Sequence, residues 1–197
     1  MPNSIRNRGR WRELAGIALI ILLALSGWSQ TSAASGQQKD VAVNDFGRRV
    51  SQYLELRKNK AGGPSKSSDS SQQVVQQQKQ MAAKIQVARV YAKPGDIFTP
   101  EIAAYFRHQI ESALSGPDGK KIRSSLQRSE PVHGLALRVN NVYPAAVPLQ
   151  TMPPSLLQRL PILPKELEYR IVGRNLVLHD IEPNIIVDFF PDAIPAP

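Results

Sequence analysis

Between Leu167 and Phe190 the chain reads LEYRIVGRNLVLHDIEPNIIVDFF, and this stretch limits the fold more than any other. Leu167, Tyr169 and Ile171 alternate with Glu168 and Arg170, the two-residue period of a half-buried strand. Gly173 to Asn175 interrupts the period, and Gly and Asn tolerate the positive φ that a tight hairpin turn needs. Leu176 to Ile181 resumes an aliphatic run. Glu182-Pro183-Asn184 then supplies a second turn, Pro presetting φ and Asn accepting the left-handed conformation. Ile185 to Phe190 closes a three-stranded antiparallel meander. Two registers are open for this last strand: Ile185, Val187 and Phe189 face in, or Ile186 and Phe190 do, with Asp188 between them. A slip of one residue exchanges the faces. Such a small sheet needs something packed on it, so the upstream helices are expected to cover it.

Those helices have their own signals. Residues 40–60 carry Val43, Phe46, Val50, Tyr53 and Leu54 at spacings of three and four, one apolar stripe on an amphipathic helix. Asn44 or Asp45 is placed to cap its start. Arg48, Arg49, Arg57 and Lys58 are read as lying off the stripe, on a solvated face or an anion-binding patch. Residues 61–80 are rich in Ser and Gln. The stretch to Ser71 reads as a flexible linker, and the Gln-rich half opens a second helix that continues through MAAKIQVARVY on a thin stripe of Ala, Ile and Val. Residues 81–197 form the helical plus β-meander domain.

Thr99-Pro100-Glu101 is a complete helix start: a hydroxyl cap, proline at the first helical position and an acid at the positive end of the dipole. Ile102, Phe106, Ile110 and Leu114 share one face, and Gly116-Pro117 stops the helix. A shorter amphipathic piece, Lys120 to Gln127, follows. Gly134 to Val139, GLALRV, reads as a fourth strand. Tyr143 to Pro164 is apolar and rich in proline, with one short helix at Ser155–Leu160, and is expected to pack against its own domain rather than offer a partner groove. The fold class is therefore α+β, with an N-terminal signal segment, amphipathic helices and a small C-terminal antiparallel meander.

The first residues carry an address. Met1 to Arg12 is basic, Leu14 to Leu25 is apolar, and small residues follow from Thr31 to Gly36. These are the three parts of a secretory signal peptide, with 1–34 removed by cleavage near Ala33 or Ala34. The apolar run is shorter than the ~20 residues of a spanning helix; the alternative is an uncleaved segment that tethers the chain to the inner membrane. Net charge is +9, of which the first 34 residues supply +3, so the remainder carries +6. That excess favours an anionic membrane surface. It does not indicate nucleic acid, because the cations are scattered without interleaved aromatics. There is no cysteine, hence no disulfide, thiolate site or lipidation cysteine.

No catalytic, metal or cofactor residue is assigned from the sequence. His108, His133 and His179 lack the spacing of metal ligands. His179 and Asp180 are neighbours on a strand and point to opposite faces. Asp180, Glu182, Asp188 and Asp192 cluster around the meander and read as solubilising turn and edge acids; a general acid–base pair using Asp180 or Asp188 is the alternative. Nucleotide and hydrolase signatures are absent from the sequence.

The segments FGRRVSQYLELRK, GDIFTPEIAAYFRHQI and MPPSLLQRLPILPKELEYRIVGRNLVLHDIEPNIIVDFFPDAIP resemble a group of short exported proteins of proteobacteria. The closing LVL and IVD pattern is also similar to the C-terminal hairpin of small periplasmic proteins, regulators of nickel and cobalt homeostasis among them. The resemblance implies export and brings no metal role or site residue, since those regulators are His-rich and this chain is not. The expected function is a non-catalytic binding or accessory protein of the cell envelope with an envelope-protein partner. An enzyme using the C-terminal carboxylates is the alternative.

Overall fold

The computed structural model describes residues 29–62, 70–127, 135–144, 147, 148 and 150–196. The basic and apolar parts of the expected signal segment, His133, Gly134 and most of the linker lie outside the described residues. Nine elements follow in order: α1 (Ser29–Ala61), α2 (Ser71–Ala88), α3 (Pro100–Ser115), α4 (Gly119–Gln127), β1 (Gln150–Thr151), α5 (Pro154–Leu157), β2 (Leu167–Val172), β3 (Asn175–Asp180) and β4 (Ile185–Phe190). By its contacts the chain divides into Met1–Val41 and Ala42–Pro197. The first unit contributes the opening turns of α1; everything below concerns the second.

The meander forms as its alternation dictates. Strands order β1-β2-β3-β4, all antiparallel. Gly173 at φ 61° makes the first turn and Asn184 at φ 55° the second; Gly has no Cβ to clash there, and Asn tolerates the left-handed region through local hydrogen bonds of its side chain. Both expected registers of β4 occur, one in each half. Leu178 pairs with Asp188 but His179 pairs with Ile186, so Val187 has no opposite number. This is a β-bulge. Ile185 and Val187 face the main core before it and Phe190 faces it after, while Ile186 and Phe189 face the other side.

The main core lies between the sheet and the helices. Phe46 of α1, Phe98, Phe106 of α3, Tyr169 of β2 and Phe190 of β4 form one aromatic cluster, with ring centroids 5.0 Å apart for Phe98–Phe190 and 6.3 Å for Phe46–Tyr169. These separations suit stacked and edge-to-face pairs. α3 begins as read: the Thr99 hydroxyl accepts from the Ile102 amide at 3.4 Å, and Ile102, Phe106, Ile110 and Leu114 are buried. The expected cap of α1 is not a cap. That helix starts upstream at Ser29, and Asp45 pairs with Arg48 and Arg49 one turn on.

GLALRV is not a strand. Leu135 and Leu137 pack on the far face of the sheet without a ladder, beside Tyr143, Val172, Val177 and Ile186. Asn140 adopts φ 67° and breaks the run. The next residues cover the free edge of β4: the Asn140 amide donates to the Ile186 carbonyl, Ile186 to Asn141 and Tyr143 to Asn184, at 2.8–2.9 Å. The fourth strand is the two-residue β1. The Pro-rich segment packs inward through Met152, Leu156 and Leu160, and its helix runs from Pro154 to Leu157, with turns following to Leu160. α2 buries Met81, Ala82 and Ile85, but the valines of the expected stripe, Val87 and Val90, lie outside it.

Candidate functional site

The acids of the meander are the residues that the alternative enzyme reading would use. Asp180 and Asp188 are both fully buried, so neither is a solubilising group. The physical reason is that each has donors brought to it from far away in the chain.

Asp180 ends β3 on the face that meets α1. Tyr53 and Arg57 recur at spacings of three and four after Val50, so Arg57 lies on the buried stripe and not off it. The Tyr53 hydroxyl donates to Asp180 Oδ2 at 2.7 Å and Arg57 Nε donates to the same oxygen at 2.8 Å. Arg57 Nη2 continues to Glu182 at 2.7 Å. Burial pushes the Asp180 carboxyl above the ordinary range, against the pull of Tyr53 and Arg57. Burial and the neighbouring carboxylate raise the Tyr53 phenol far beyond its usual value. Asp180 Oδ1 is buried without a hydrogen-bond partner among the described residues. The cluster clamps helix to strand.

Asp188 is carried to the helix side by the bulge. Its Oδ2 accepts from the amides of Ile97 and Phe98 at 2.7 and 2.8 Å, and its Oδ1 from Gly95 at 3.1 Å and Phe189 at 2.8 Å. Burial raises this carboxyl; the four N–H donors oppose the rise. Gly95 at φ 91° lets the loop fold around the carboxylate. The bulge carbonyl of Val187 is met by both terminal nitrogens of Arg89 at 3.1 Å, and that guanidinium sits 5.0 Å from the centre of the Tyr53 ring. Asp180 and Asp188 therefore share one face of the sheet but serve separate donor sets, and each is committed to holding a neighbouring element in place.

His179 points to the opposite face from Asp180, as the alternation requires. Its Nδ1 lies 2.9 Å from Glu168 Oε1 and its Nε2 2.8 Å from Asn184 Oδ1. The Asn184 amide group donates to the Tyr143 carbonyl at 2.9 Å, which orients its oxygen toward the ring. Burial alone would raise Glu168, yet hydrogen bonds from Arg170 and His179 outweigh it and hold the carboxyl below the usual range. The folded value is thus depressed relative to the unfolded one. Glu168 contributes stability above its unfolded value, about 4.3, and that contribution is lost as the pH falls through the folded value. Urea midpoints should drop more steeply with acidification in the wild type than in Glu168→Gln; parallel curves would contradict the assignment.

Among the described residues no three of His, Asp and Glu come together to hold a metal ion. His108 is exposed on α3. Two clefts among the described residues border the sheet. One is a cleft of about 390 Å³ walled by Leu114, Leu126, Ile171 and Ile194 with Arg123 and Arg174 at its rim. Both arginines are already engaged, donating to the carbonyls of Leu114 and Ile194. The other is a groove of about 560 Å³ between the Pro-rich segment and β2. β1 pairs only with Arg170 and Ile171, so among the described residues no strand lies beside β2 from Leu167 to Tyr169 on that edge. Leu157, Pro161, Ile162 and Leu163 wall the groove; Ile162 is 98% exposed and Leu157 45%. The expected inward packing holds at Met152, Leu156 and Leu160, four residues apart, while Leu157 and Ile162 stay outside.

No family model, curated protein or solved structure matches the chain.

Proposed function

We propose that the protein is a non-catalytic binding or accessory protein exported to the cell envelope, and that the β2 groove receives an extended apolar segment of an envelope partner. The observation that carries this reading is the exposed pair Leu157 and Ile162 beside a strand left half without a neighbour. An edge strand with no strand beside it is a template for one more strand, and flanking pockets then select alternate side chains. The basic start, the apolar run Leu14–Leu25 and the small residues up to Gly36 support export. The resemblance to short exported proteins of proteobacteria points the same way. The enzyme reading lacks such support, because the carboxylates it would use are spent on holding α1 and the 95–98 loop.

A photo-crosslinking residue at position 162, activated in intact cells, tests the proposal. The expected product is a discrete adduct with an envelope protein, abolished by Leu157→Asp. The purified adduct should begin near Ser35 if the leader is removed, and at Met1 if it stays as a tether. Adducts to cytosolic proteins alone would overturn both export and partner.

A further inference from the structure

A second surface lies at the C-terminal end of α2. The orientation of this end is fixed from within. Met81, Ala82 and Ile85 are buried, Gln86 Nε2 donates to the Asn140 carbonyl, and Asn140 Nδ2 donates back to the carbonyls of Gln86 and Arg89, all at 3.0 Å. Arg89 reaches the bulge. Residues on the other side must then point away from the core. Lys84 and Val87 lie three apart on that outward side, and Val90 and Tyr91 follow in the turn after the Arg89 cap. Val87 is 78% exposed, Val90 68% and Tyr91 92%. One exposed valine needs no explanation; three large apolar side chains together within five residues do.

Charge selects the occupant. Lys60, from the last turn of α1, lines one open depression with Ala83, Lys84, Val87 and Ala88. Among the described residues neither Lys60 nor Lys84 has an ion-pair partner. The sequence holds no Asp or Glu from Ser70 to Gly95, while Lys79, Lys84, Arg89 and Lys93 all fall in that span. An apolar tip with a tyrosine, flanked by uncompensated lysines on long flexible stems, is the composition that settles at a lipid–water boundary. Acidic headgroups supply the missing countercharge.

We propose that this face docks on anionic lipid headgroups, with Val87, Val90 and Tyr91 entering the interfacial layer and Lys60 and Lys84 meeting the phosphates. The surface is separate from the β2 groove and stands whether or not that groove takes a partner.

The absence of cysteine makes the test clean. In the full chain, Tyr91→Cys carries an environment-sensitive nitrobenzoxadiazole label, and Ser125→Cys on α4 carries the same label as a control. Vesicles are phosphatidylcholine with or without phosphatidylglycerol. Anionic vesicles are expected to raise emission at position 91 severalfold and to shield it from iodide, leaving position 125 unchanged. The Lys60→Gln/Lys84→Gln pair should weaken partitioning of the chain roughly 30-fold at low salt. If position 91 stays as quenchable on vesicle-bound chains as in solution, the chain binds through another segment and the proposal fails. Shielding by lipid-free envelope protein but not by vesicles would also overturn it, assigning the face to a protein instead.

Discussion

Replacing Asp188 by alanine is expected to lower the stability of the folded chain by about 4 kcal/mol or more, one of the two largest effects of any single change around the sheet. Four backbone amides donate to this one carboxylate. Each buried donor left without an acceptor costs about 1–3 kcal/mol. Ile97 and Phe98 are themselves buried, so water cannot easily take over. The damage reaches further than the hydrogen bonds, because the loop they hold delivers Phe98 to the aromatic cluster and Thr99 to the start of α3. Asp188→Asn keeps the volume but turns an amide group toward donors, and should fall between alanine and wild type. Urea unfolding with comparison of m-values reads both variants. A loss under 1 kcal/mol for the alanine variant, with an unchanged m-value, would mean that the loop does not close on Asp188.

The second large effect concerns Arg57 and Asp180. Removing Arg57 leaves the buried Asp180 without its cation, at about 3–5 kcal/mol; removing Asp180 costs less, because Arg57 keeps Glu182 at 2.7 Å. Arg57→Met and Asp180→Leu together remove both charges, and apolar replacement of a buried pair is commonly neutral or favourable. The double variant is therefore expected to recover most of what either single variant loses. The coupling read from the double-mutant cycle should exceed 1 kcal/mol, and moderate salt should leave it unchanged because the pair is shielded from solvent. Tyr53→Phe, which takes away one of the two donors to Asp180 Oδ2, should cost less, about 1–2 kcal/mol. Additive losses in the Arg57/Asp180 pair would show that the clamp is not a unit.

The parts of this fold that could be read from the sequence are those whose causes are local. Alternation placed β2; Gly173 and Asn184 placed the turns; Thr99-Pro100 placed the start of α3. Each depends on residues a few positions apart. The failures have non-local causes. Arg57 reads as lying off the stripe, on a solvated face or an anion-binding patch, although its spacing after Tyr53 puts it on the stripe; a buried arginine makes sense only once an acid 123 positions away is known to meet it. Asp188 looked like a solubilising acid in an aliphatic run. The bulge that turns it inward leaves no mark in residue type, though an aspartate inside IIVDFF was itself a signal that its environment had to supply donors. GLALRV had strand composition, but the β4 edge is occupied by Asn140–Tyr143. The site was legible only in outline: apolar proline-rich residues were seen, but which of them stay outside depends on the packing of Leu156 and Leu160.

The wiring of the sheet also bears on the order of events in the life of the chain. Tyr53 waits for a residue 127 positions later, and Ile97 for one 91 positions later. Until β4 has been synthesised, α1 and the segment leading into α3 lack the carboxylates that fasten them. Contacts of such long separation form late. A chain built this way lacks both fastenings until its final strand is made, an order that the export proposed above would tolerate.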